Sequence, residues 1–161
     1  MTWDRDMHTQ TLKEHLTDLL EWGAAHLAIE PVLRAFPAAH AGTQAGAIHH
    51  TPWEILEHMR LAQHDVIEVL QTPGHVSPVW PEGFWPSTRS PSDSAEWTGS
   101  VERFLDELAA IRAWVSSRET DLYAASPRGS GDTVLREILF LADHNVYHLG
   151  QLIVLQQAVG A

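Results

Sequence analysis

Residues 134–158 read VLREILFLADHNVYHLGQLIVLQQA. Along this stretch Glu137, Leu141, His144, His148, Gln151 and Leu155 step by four and three, beside an apolar arc of Val134, Ile138, Leu149 and Leu152. That is the spacing of one inward face on an α-helix, with Asp132 or Thr133 placed to cap its start. His144 and His148 stand one turn apart, about 40° apart in projection, so both rings leave the inward face. Leu139, Val146 and Val154 lie off the core arc, and a helix apolar nearly all round asks for a second partner. The candidates for that partner are an aromatic loop at 80–85 and a second subunit in a twofold homodimer.

Upstream, Thr51-Pro52-Trp53-Glu54 gives the sharpest helix start in the chain. It supplies a capping Thr, a Pro at the first helical position and a Glu that returns the cap's hydrogen bond. Ile55, Met59, Ala62, Val66, Val69 and Leu70 define the buried face of this helix, and Thr72-Pro73-Gly74 stops it. Leu12, Leu16, Leu19, Leu20, Gly23 and Leu27 predict an earlier helix over 6–29 that Pro31 ends or kinks, followed by a loop over 37–50. A helix is also expected over about 93–117, on Val101, Phe104, Leu105, Leu108, Ile111 and Val115, and a connector over 126–131. The proline-rich stretch 74–92 carries Trp80, Phe84 and Trp85, too large and apolar to leave in water, and reads as an ordered loop packed on the helices. The expected architecture is all-α, a four-helix bundle with long crossover loops, as one domain over 1–161.

Composition narrows the function. A chain of 161 residues is one domain by length and buries roughly 70% of its unfolded surface. With 10 Lys and Arg against 21 Asp and Glu, the net charge is −11 with His neutral, which gives no footprint for a phosphate backbone, so no nucleic acid is expected. Without Cys there are no disulfides and no thiolate ligands, so any metal must rest on His and carboxylates. Neither a basic leader with an apolar run behind it nor 18 consecutive apolar residues occur, so a cytoplasmic protein with no membrane partner is expected.

The 11 His are the natural place to look for chemistry. His58 sits at the edge of the Ile55, Met59, Ala62 and Val66 face, while His64 points the other way. Three inward imidazoles from two helices suffice for one divalent ion at about 2.0–2.1 Å per nitrogen, with a fourth position for water or substrate. In a chain so rich in His the same spacing also fits core histidines hydrogen-bonded to carbonyls or carboxylates. Asp65 or Glu54 could orient His58 from behind, although Glu54 is already explained by the capping box. His8, His15 and His26 lie near the inward stripe of the first helix, and His15 or Asp65 could close the fourth position. Tyr147, Gln151, Glu137 and Asp65 are the nearest polar groups, and Trp85 and Trp80 are candidates for a pocket wall.

Thr51-Pro52-Trp53-Glu54-Ile55-Leu56-Glu57-His58, followed by Asp143-His144-Asn145-Val146-Tyr147-His148-Leu149-Gly150-Gln151-Leu152, resembles the DinB-like (DinB/YfiT) family of metal-binding helical bundles. Trp80-Pro81-Glu82-Gly83-Phe84-Trp85-Pro86 resembles a loop of one subgroup, so the likeness runs from about residue 10 onward. It implies that His58, His144 and His148 bind one divalent transition metal per chain, with zinc or nickel the foremost candidates. It further implies a metal-dependent enzyme acting on a small-molecule substrate, a transferase or hydrolase whose nucleophile is an external low-molecular-weight thiol or water. Such an ion lowers the pKa of a bound water or thiol toward neutrality. The alternative is a non-catalytic bundle in which the metal is structural. Homodimers are common in this family, so the resemblance implies a homodimer.

Overall fold

The computed structural model describes residues 3–21, 25–129 and 131–160. Among them the chain forms five α-helices: α1 (Trp3–Glu21), α2 (Ile29–Ala35), α3 (Pro52–Gln71), α4 (Ser94–Ser116) and α5 (Val134–Ala158). No strand occurs among the described residues, only an isolated bridge between Ala125 and Thr133. The all-α expectation holds, and the helix count is five rather than four. The expected single helix over 6–29 is α1 followed by a separate short α2. Pro31 does not end a helix; it lies in the first turn of α2, where its missing N–H has no intrahelical acceptor to lose. Leu27, expected on a buried face, is 60% exposed between the two helices, while Gly23 lies outside the described residues.

The other starts follow their signals. Thr51 and Glu54 form the full capping box of α3 with Pro52 behind the cap. Asp93 caps α4 through the Glu96 N–H, and Thr133, not Asp132, caps α5 through the Arg136 N–H. The long helices form a closed set, α3 packing on α4 and α5 and α1 packing on the same two from the other side. Leu20, Leu56, Met59, Phe104, Ile111, Ile138, Leu141 and Leu149 are almost fully buried along these seams, each contributing about 1.5–3 kcal/mol of apolar burial. By length and composition α5 could cross a membrane, yet its inner face carries the buried Glu137, Asn145 and His148 and packs on α1, α2 and α3.

The segment over 72–93 is held against the helices by polar anchors. Asp65 of α3, 4% exposed, accepts from His75 Nε2 at 2.8 Å, Ser77 Oγ at 3.1 Å and Arg128 Nη2 at 3.2 Å. Farther along, the Thr51 hydroxyl donates to the Arg89 carbonyl and Trp53 Nε1 donates to Thr88 Oγ1. Gly83 turns so tightly that a β-carbon there would sit 2.5 Å from Pro78 Cβ. The expectation for the three large aromatics is met only in part. Phe84 is buried and Trp85 half-buried, whereas Trp80 is 67% exposed, because the wall it forms belongs to an open cleft.

Candidate metal centre

The packing of α3 against α5 sets His58 opposite His144 and His148. His58 Nε2 and His144 Nε2 are 3.1 Å apart, and the three residues offer ring nitrogens that all lie within 4.8 Å of one another. Two nitrogens on one tetrahedral ion at 2.0–2.1 Å stand about 3.4 Å apart, so the His58–His144 spacing is compatible with a shared ion. His58 and His148 are buried, and His144 is half-buried.

The outer nitrogens test that fit. His58 Nδ1 donates to the Phe84 carbonyl at 2.8 Å, and His148 Nδ1 donates to Gln151 Oε1 at 2.8 Å. Each bond puts the proton on the outer nitrogen and leaves Nε2 as an unprotonated lone pair on the inner side, the tautomer a ligating imidazole needs. His144 Nδ1 is buried without a well-formed partner, as is Asn145 Oδ1 of the next residue. Burial also strips the rings of charge. It pushes the pKa of His144 down to about 4, with the positive charge of His148 and His58 adding to the effect. His148 is likewise pushed down to about 4, first by burial. Burial lowers His58 too, against the opposing pull of the Phe84 carbonyl. Two uncharged imidazoles with inward lone pairs and the neutral His144 ring beside them form a group compatible with binding a metal ion.

Trp85 stacks face to face on His58, with ring centroids 4.0 Å apart and planes 2° from parallel, and on its other side stacks on His50 at 4.0 Å and 15°. Trp85 therefore backs the His58 ring rather than lining the cleft, and it locks that imidazole in orientation. His50 has no helical spacing to single it out, and the Phe84 carbonyl is a backbone group, so neither is visible in the sequence pattern.

Other expectations change here. Asp65 does not orient His58 and does not close the cluster, because its carboxylate is committed to His75, Ser77 and Arg128. Glu54 stays in its capping box. Gln151 contacts His148 directly, and Tyr147, 63% exposed, packs edge-on against the His148 ring with centroids 4.8 Å apart while its hydroxyl accepts from the Gln151 amide at 3.2 Å. Glu137 accepts from Ser126 and Arg128. His64 points away to Glu107, as its position on α3 implies. His8 and His15 are exposed on α1 and His26 bonds the Leu27 carbonyl, so none of them joins the three-residue group.

A cleft of ≈ 510 Å³ opens on His144. Its walls are Ala62 and Val66 of α3, Pro78, Trp80 and Phe84 of the long loop, and Phe140 of α5. Asp65, Glu137, Arg128 and Arg136 also border it. An apolar recess with a few polar groups beside a potential metal is the ordinary form of a small-molecule site.

The fold and the His cluster define an all-helical protein with a group compatible with metal binding. The family model described as the DinB superfamily matches residues 21–152, and the chain belongs to that superfamily. No curated protein and no solved structure matches it.

Proposed function

We propose that His58, His144 and His148 hold one divalent transition metal per chain, zinc or nickel, and that the protein is a metal-dependent enzyme acting on a small molecule. The observation that carries this reading is the convergence of the three rings beside the cleft, with the outer nitrogens of His58 and His148 already bonded to acceptors. When bound, such an ion activates an external low-molecular-weight thiol or a water as nucleophile in a transfer or hydrolysis reaction. The chain's own part is to keep the imidazoles neutral, fix their orientation through Phe84, Gln151 and Trp85, and admit substrate along the walls at Val66, Phe84 and Phe140.

The test is elemental analysis of untagged protein purified without nickel resin or chelator, beside His58→Ala and His144→Ala. About one equivalent of transition metal per chain, lost in both variants, is the expected result. No metal as purified, none taken up from added zinc and unchanged stability in the variants would make these ordinary core histidines. The homodimer proposal rests on the outer face of α5, where Leu139, Tyr147 and Val154 are 41–63% exposed. A monomer in sedimentation at micromolar concentration would overturn it.

A further inference from the structure

Arg136, Phe140, His144 and His148 follow one another at intervals of four along α5, so they lie along one side of the helix. Arg136 and His144 are thus eight residues apart, about 12 Å along the axis. Arg136, Phe140 and His144 all line the same cleft. Its interior is made mostly of hydrocarbon and aromatic rings, with Trp80 and Phe140 both partly open to solvent at its edge.

The two arginines of the cleft differ. Arg128 is engaged at all three of its nitrogens, donating to Glu137 Oε1, Ser77 Oγ and Asp65 Oδ2. Two buried carboxylates therefore cancel its charge, and it has little left for a ligand. Among the described residues the Arg136 guanidinium has no hydrogen bond or ion pair, its backbone N–H is taken by the Thr133 cap, and the Asp132 carboxylate lines the same cleft four residues before it. An unpaired planar cation at one end, an aromatic belt in the middle and the imidazole cluster at the other end form a site with a defined polarity.

We infer that the cleft takes an elongated small molecule with a metal-binding head at His144, an aromatic or apolar body against Phe140 and Trp80, and a carboxylate tail paired with Arg136. This assignment rests on the metal reading above and adds the substrate class. Arg136 is a specificity determinant for the tail, and Phe140 binds the body whatever the tail carries. Because Arg136 is exposed, the ion pair at the tail is modest, about threefold to fivefold in affinity at low salt.

The probes are 4-(carboxymethyl)benzohydroxamic acid and its methyl ester, titrated calorimetrically into zinc-loaded protein whose metal content is measured in parallel. The acid should bind about threefold to fivefold tighter than the ester. Arg136→Gln should remove that difference and leave the ester unchanged, and Phe140→Ala should weaken both probes alike. Raised salt should shrink the preference for the acid. Zinc-loaded protein that binds acid and ester equally, or an Arg136→Gln variant that keeps the preference, overturns the tail assignment and leaves the metal reading intact. Zinc-loaded protein that binds neither probe overturns the cleft as the binding site. Protein that takes up no zinc overturns the metal reading, and the substrate class with it.

Discussion

At the scale of single residues, the histidine cluster is built from neutrality. His144 and His148 titrate at about 4 in the folded chain, against about 6.5 when unfolded. Between those values the unfolded chain binds more protons, so stability falls as pH drops from about 6.5 to about 4 and is insensitive to these groups above that window. Urea midpoints of metal-free protein across this range should show the decline, and His144→Leu should flatten it. The same neutrality means that zinc uptake at pH 7 releases almost no protons from these rings, which calorimetry in buffers of different ionisation enthalpy reads directly. Gln151 holds the outer nitrogen of His148. Gln151→Ala should therefore weaken zinc binding by about 10–100-fold in a chelator competition, and Gln151→Glu should restore much of it. These three histidines were legible in the sequence because an i, i+4 pair and one matching position on another helix are spacings that survive folding. The groups behind them were legible only in part. Gln151 shares the His stripe, but the Phe84 carbonyl has no side-chain signature, and Asp65 looked equally suited until the loop claimed it.

At the scale of elements, the start of α3 fixes more than its own helix. The Thr51 hydroxyl accepts from the Glu54 N–H and donates to the Arg89 carbonyl, joining the cap of the His58 helix to the segment that carries Phe84 and Trp85. Thr51→Ala should cost about 1–2 kcal/mol, a drop in Tm of about 2–8 °C for a domain of this size, and Thr51→Ser should recover most of it. Gly83→Ala drives a β-carbon into Pro78, so the turn must shift and draw the Phe84 carbonyl away from His58. Zinc affinity should fall together with stability in that variant, whereas Thr51→Ala should affect stability first. The cap of α3 was fully readable because its chemistry is local. The break between α1 and α2 was not, since the N-cap of α2 is Ala28, which has no capping side chain, and the Leu periodicity runs on through the exposed Leu27. Helical spacing alone does not tell a core leucine from one left in a connection.

At the scale of the whole molecule, a ligand that binds only the folded chain stabilises it by mass action. Excess zinc should raise the Tm of the native protein, by the equivalent of about 2.7 kcal/mol at a hundred times its Kd, and leave His144→Ala unmoved in a thermal scan. The all-α class was visible from periodicity, but which helices touch is a matter of long-range packing, and that packing decides whether three imidazoles meet. His58 and His144 lie 86 residues apart in the chain. A ribosome therefore makes the first of them long before the second, and no ring of nitrogens exists to compete for a metal while α4 is being threaded out. Under the proposed metal reading, loading must follow synthesis of α5, which spares the half-made polypeptide from capturing ions in the wrong arrangement.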